Sequence, residues 1–339
     1  MALHRALAAS LLMVIFSLPL AYADQIVLAN GDRLTGELVS KGEDTLKFRT
    51  EYAGEINVRW KDVVSITTDA PVTVLSTDGE LRQGRLERSA SGEITLISTD
   101  RSRAVKLVDI GYINPPAHVA GTGVTYKGRA SVLANGSRGN TDDGRIYAEG
   151  EFDARAKDYR YNIHGHAEQK EESGETTAQN YLVAGRYDRP IDEAHFWYLR
   201  SQAQHDEFVD ITLRVGVGGG LGWNIFDTEK THLSVRGGLD YIWAKRSSVP
   251  DENYPAFGWG INYSQWLWKD RLEVFHDQAG FASLTSAGDV SLWTKTGVRF
   301  PLGSGLSANA QVNVTYEGDP GPDREKTDTE LLVGFGYTF

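Results

Sequence analysis

The side chains best placed to do chemistry lie in the second half of the chain. His164, His166 and Glu168 stand at alternate positions, the spacing that brings side chains to one face of a strand. Two imidazoles above a carboxylate begin a metal clasp, but no clear third and fourth ligand accompanies the histidine pair, so no metal is expected. Glu149 and Glu151 share a strand face as paired carboxylates, yet nothing in the sequence supplies the sugar platform of a glycosidase. His195 and Ser201 are of the types that make a base and a nucleophile, but six residues apart along a strand they cannot share a hydrogen bond. The chain has no Cys, which excludes a thiol nucleophile, a disulfide framework, Cys-ligated zinc and a lipoprotein anchor. No catalytic residue and no cofactor is expected.

A larger set is arginine. Arg145, Arg155, Arg160, Arg186, Arg200, Arg214, Arg236 and Arg299 fall on the polar face of alternating segments, interleaved with Glu149, Glu151, Asp153, Glu168 and Asp240. One reading is a salt-bridged, hydrated interior. The sharper one is an arginine-lined pathway for small anions or acidic oligosaccharides, since rings of charge set pore selectivity. The interleaved acids weaken a single-sign field. In strand count and arginine content the segment is similar to the twelve-stranded acidic-sugar porins.

The elements that must position these residues can be read outward from composition. The chain has 339 residues, 40% hydrophobic and 24% charged, with a formal charge of −11. That charge excludes broad electrostatic attraction to nucleic acid. Residues 1–23 carry His4 and Arg5, an apolar run from Ala6 to Leu20, then Ala21-Tyr22-Ala23. This is the pattern of a cleaved signal peptide, too short for a membrane anchor. No later stretch is long and apolar enough for a spanning helix, so a membrane role requires a β-barrel.

Residues 24–115 contain a repeat. Gly31 and Gly36 match Gly79 and Gly84, Leu46 and Phe48 match Ile94 and Leu96, and Trp60, Asp62 and Val63 match Leu107, Asp109 and Ile110. Asn30-Gly31 and Asp78-Gly79 are hairpin turn signals, so residues 24–69 and 70–115 are expected as two small β modules. They resemble SH3-like or Sm-like barrels, which implies a capacity to bind peptides. Twelve basic and fifteen acidic side chains in this stretch argue against RNA, and core packing accounts for Trp60 and the apolar alternates. Asn114-Pro115-Pro116 opens a stiff linker over residues 116–121.

From residue 122 to 339, segments alternate apolar and polar residues. Leu331, Val333, Phe335, Tyr337 and Phe339 share one face, and Ile146, Ala148, Gly150 and Phe152 another. Seven of the eight Trp fall here, as aromatic girdles at two membrane interfaces would require. Short and long connections alternate, and about twelve strands fit. The expected fold is all-β: a C-terminal antiparallel transmembrane barrel of about 12 strands, preceded by the two small modules. Phe335-x-Tyr337-x-Phe339 looks like the assembly signal of outer-membrane proteins.

The Ser137-Arg138-Gly139-Asn140-Thr141 turn, the Arg/Tyr/Glu second strand and the aromatic end at Phe339 carry a further likeness. Over residues 122–339 the chain resembles the salt-induced outer-membrane proteins, domain-of-unknown-function family 481. The resemblance implies an integral outer-membrane barrel without an established activity and supplies no catalytic residues. The expected partners are outer-membrane lipids, the barrel-assembly machinery and a periplasmic protein held by the N-terminal module. The expected function is a narrow channel for small ions or anionic solutes; a periplasmic scaffold and a lipid-modifying enzyme are the alternatives.

Overall fold

The structure, a computed structural model, describes residues 23–88, 93–99, 101–137, 143–228, 230–268, 270–320 and 325–339. The expected signal peptide, apart from Ala23, and the Gly139-Asn140-Thr141 turn lie outside the described residues. The chain divides into two compact units, one ending at Pro115 and one starting at Pro116.

Among the described residues the first unit has ten strands. In its first half these are β1 (Asp24–Leu28), β2 (Arg33–Lys41), β3 (Thr45–Thr50), β4 (Gly54–Arg59) and β5 (Val63–Thr67). In its second half they are β6 (Val72–Ser76), β7 (Leu81–Arg88), β8 (Ile94–Ile97), β9 (Ser102–Val105) and β10 (Ile110–Ile113). The pairing orders are β5-β1-β2-β3-β4 and β10-β6-β7-β8-β9, and one rung, Ile113 opposite Lys41, joins them into a single sheet. The turns form where the sequence places them. Gly31 and Gly79 take φ of 91° and 85°, a region only glycine enters freely.

Two separately closed barrels are not what the structure contains. Ile26, Leu46 and Phe48 from the first half bury in one cluster with Val74, Leu86 and Ile113 from the second. The physical reason is size, because a unit of fewer than 50 residues cannot bury a sufficient core alone. Lys41 adds a tie between the halves, donating from Nζ to the carbonyls of Ile110 at 2.9 Å and Gly111 at 2.5 Å. Trp60 packs against the shared core, the position that alternation assigns it.

The second unit opens with a helical turn, α1 (Ala117–Ala120), and continues as a closed barrel. Its first six strands are β11 (Thr125–Ser137), β12 (Asp143–Arg155), β13 (Arg160–Glu172), β14 (Glu175–Pro190), β15 (His195–Asp206) and β16 (Ile211–Asp227). The other six are β17 (Thr231–Arg246), β18 (Glu252–Leu267), β19 (Leu272–Ser283), β20 (Val290–Gly303), β21 (Leu306–Glu317) and β22 (Thr327–Thr338). Every strand is antiparallel to its sequence neighbours, and β22 closes on β11 from Arg129 opposite Thr338 to Ala134 opposite Val333. The strands have 12–17 residues, more than the roughly 9–11 that a tilted span needs.

Exposure decides which face is which. Val132, Ile146, Leu199, Leu239 and Leu331 on the outside are 56–65% exposed, whereas Arg214 and Asp240 on the inside are 3% and 5% exposed. A water-soluble sandwich has the reverse arrangement, so the outer surface is built for hydrocarbon. Among the described residues no helix is long and apolar enough to cross a membrane.

The aromatic girdle is smaller than the sequence implies. Trp223 and Trp243 are outward and almost half exposed, and Trp268 stands out at the β18–β19 turn. Trp266 and Trp293 line the interior instead. Strand parity is the cause: Trp293 is two residues before Lys295 and therefore shares its inward face.

The seam between β22 and β11 ends in a tight contact. Gly128 N donates to the Phe339 carbonyl at 2.9 Å and Phe339 N to the Gly128 carbonyl at 3.0 Å. The Phe339 ring covers Gly128 so closely that a Cβ there would collide with it.

Candidate functional site: the charged lumen

Alternation places one polar side chain in every second position of twelve strands inside a narrow tube, so charges must find partners across it. Several pairs do so over long distances around the wall. Lys295 on β20 reaches Glu149 on β12 at 2.9 Å, four strands away. Arg129 on β11 reaches Glu273 on β19 at 3.4 Å, and Arg299 meets the same carboxylate at 3.1 Å. Arg155 on β12 reaches Asp227 on β16 at 2.9 Å. Arg214 on β16 and Arg246 on β17 both approach Glu317 on β21, at 2.8 and 3.6 Å, with Ser291 donating to that carboxylate at 2.9 Å. The His166 and Trp293 rings face each other across the lumen with centroids 6.2 Å apart.

The remaining expected residues fall into local groups. Arg160 and Arg186 share Asp188, at 3.0 and 2.8 Å. Arg200 makes a two-pronged pair with Asp240, at 2.8 and 2.7 Å. Arg145 gathers Glu168, Asp328 and Glu330, beneath the Phe208 ring at 4.9 Å. Arg236 donates from Nη1 to Asn262, while its buried Nε has no hydrogen-bond partner. Glu151 and Asp153 each accept a hydrogen bond from the Asn162 amide at 3.0 Å.

These groups surround an internal cavity of about 550 Å³. Arg155, Arg160, Arg186, Arg200, Arg214, Arg236 and Arg299 line it together with Glu149 and Glu151. Arg145 and Asp240 lie outside its lining, held in their ion pairs. His118 of α1 also reaches the cavity, with Nδ1 2.8 Å from the Thr125 hydroxyl. Burial, and then Arg155, hold its imidazole below the ordinary value, against the opposing effect of Asp227.

The metal clasp does not assemble. Glu168 is taken by Arg145, and His166 sits by Asn180 at 3.2 Å. Among the described residues no group of three or more His, Asp or Glu side chains could hold a metal ion. His195 stands exposed at the start of β15 and bonds Asp192 at 3.0 Å, away from Ser201. Phe335, Tyr337 and Phe339 project outward and are half or more exposed.

Sequence reasoning missed a glycine-lined stretch of wall. Gly216, Gly218, Gly220 and Gly222 occupy the inward positions of β16. Gly258 and Gly260 on β18 leave the space into which Arg200, Asp240 and Arg236 extend; a Cβ at either would overlap them. The run Gly216-x-Gly218-Gly219-Gly220-x-Gly222 was the available signal, since glycine inside a strand marks a close approach or a sharp bend.

The sequence from residue 132 to 339 matches the family described as protein of unknown function, DUF481. The chain belongs to that family. Among solved structures this DUF481 barrel is similar to the NanC porin, with 9% identity over 62% of this chain and 98% of that one and a TM-score of 0.42. It is also similar to the KdgM porin in complex with disordered oligogalacturonate, with 8% identity, 63% and 99% coverage and a TM-score of 0.35. A third is the translocator domain of the autotransporter NalP from Neisseria meningitidis, with 13% identity, 65% and 89% coverage and a TM-score of 0.32. Among curated proteins none matches the DUF481 chain.

Proposed function

We propose that this protein is an outer-membrane channel, a narrow barrel that passes small ions and anionic solutes. The observation that carries the reading is the cavity of about 550 Å³ inside a barrel with an apolar outside, lined by seven of the eight expected arginines. Cross-lumen ion pairs keep the walls apart and hydrated, and charges on the walls select what enters. In this reading residues 1–23 are removed on export and residues 24–115 stand in the periplasm. The repeated strand orders of that unit support a duplicated SH3-like or Sm-like module, which grips a periplasmic protein.

Conductance of the refolded protein in a planar bilayer tests the channel. Stable steps with anion preference are expected, and the Arg200→Ala, Arg236→Ala double variant should shift the reversal potential toward cations. A heat-modifiable, folded barrel that stays electrically silent would overturn the reading.

Phe335, Tyr337 and Phe339 are read as the strand face that the barrel-assembly machinery recognises. Phe339→Ala removes the ring over Gly128 and should lower the heat-modifiable fraction in outer membranes several-fold. Unchanged assembly in cells would remove Phe339 from that role.

A further inference from the structure

We propose that the middle of the lumen binds small zwitterions, solutes carrying an ammonium and an acid group in one molecule. The inference deepens the channel reading, on which it rests, by naming the solute class.

Two carboxylates stand on one wall. Glu151 and Asp153 of β12 are bridged by the single amide of Asn162, and among the described residues neither makes an ion pair. One amide satisfies one acceptor site on each, and a carboxylate offers about four. The opposite wall has the complementary surplus. Arg236 of β17, five strands from β12, has no carboxylate partner among the described residues, and its Nε is buried without a hydrogen bond. Arg186 of β14 belongs to the carboxylate side: it lies opposite Asn162 in the β13–β14 register and shares the Asp188 carboxylate with Arg160.

Both walls face one space. Glu151, Asp153, Arg186 and Arg236 all line the same cavity. His164, opposite Glu151 in the β12–β13 register, lies within the electrostatic reach of both Arg186 and Arg236. Gly260 makes the room on the basic side, because any side chain there would overlap the Arg236 guanidinium. The volume of about 550 Å³ falls within the range of small-molecule sites.

The two carboxylates are open to the lumen, Glu151 exposed and Asp153 half-buried, while Arg236 Nε is buried without a partner, so a ligand that supplies both counter-charges gains a contact at each wall. A simple anion gains Arg236 but meets Glu151 and Asp153. A simple cation gains the carboxylates but meets the Arg236 guanidinium. Only a solute bearing both signs is favoured at each wall, which is how a site discriminates by repulsion as well as attraction.

The test uses three solutes with one carbon skeleton: 4-aminobutyrate, butyrate and butylammonium. Equilibrium binding of radiolabelled 4-aminobutyrate to the refolded full-length protein in detergent is measured, with the other two as competitors. Each single-charge compound should compete about ten-fold or more weakly, the loss of one charge-assisted contact. In the Glu151→Gln, Asp153→Asn variant the advantage of 4-aminobutyrate over butyrate should vanish. In Arg236→Gln the advantage over butylammonium should vanish. Equal competition by all three solutes at the native protein would overturn the proposal whatever the variants do. Potassium chloride conductance of the same preparation separates the two readings. Conductance without discrimination overturns the zwitterion site alone, and discrimination without conductance overturns the channel and keeps the site.

Discussion

Gly238→Val is expected to abolish the folded barrel, leaving only the unfolded band on unheated gels. Gly238 of β17 pairs directly with Gly220 of β16. A Cβ at either position falls within 3 Å of backbone atoms on the other strand, at Gly219 and Gly220 in one direction and at Gly237 and Gly238 in the other. Rotation of a side chain cannot relieve a clash with backbone. The two strands would have to part, and with them the ladder that closes the tube at a sharp bend. The cost is about 3 kcal/mol or more by analogy with overpacked cores. Gly185→Ala provides the control, because a Cβ there meets nothing within 4 Å. Its urea midpoint should stay within the error of the native protein. A folded Gly238→Val barrel with native stability would show that the β16–β17 contact is not as close as described.

Glu317→Leu should be nearly as damaging. The carboxylate is 2% exposed and holds Arg214 and Arg246, whose side chains are each 3% exposed. Removing it leaves two buried guanidiniums without an ion-pair partner among the described residues. Breaking a buried pair by deleting one partner costs about 3–5 kcal/mol. Tryptophan fluorescence during urea unfolding of the refolded barrel measures it. The triple variant Arg214→Met, Glu317→Leu, Arg246→Met should recover much of the loss, because apolar groups of similar size need no partner. Failure of the triple variant to recover would assign the damage to packing rather than to charge.

Much of the barrel was legible because a strand has a period of two and a membrane has a single kind of exterior. Ile146 against Arg145, or Leu239 against Asp240, assigns the inside and the outside without any tertiary knowledge. The same parity placed the arginines of the lumen. What parity does not contain is the far wall: Lys295 could be put on an inward face, but its partner Glu149 lies four strands away. Trp266 and Trp293 misled for a related reason. Counting tryptophans near strand ends ignores the one-residue shift that turns a ring from lipid to lumen. In the N-terminal unit the repeat was visible in the glycines, whereas the sharing of one core by Phe48 and Leu86 was not. Repeat spacing says that two segments are alike and is silent on whether either can be dry without the other.

The seam at Gly128 and Phe339 also sets an order in time. Its two sides are separated by more than two hundred residues of chain, as in the Arg129–Thr338 contact, and pairings that distant form late. Until they meet, β11 and β22 are both open edges, each offering a full row of unpaired donors and acceptors to any passing strand. The barrel is therefore most vulnerable in its last moment of folding, and whatever shelters β11 while it waits for β22 governs how many chains arrive.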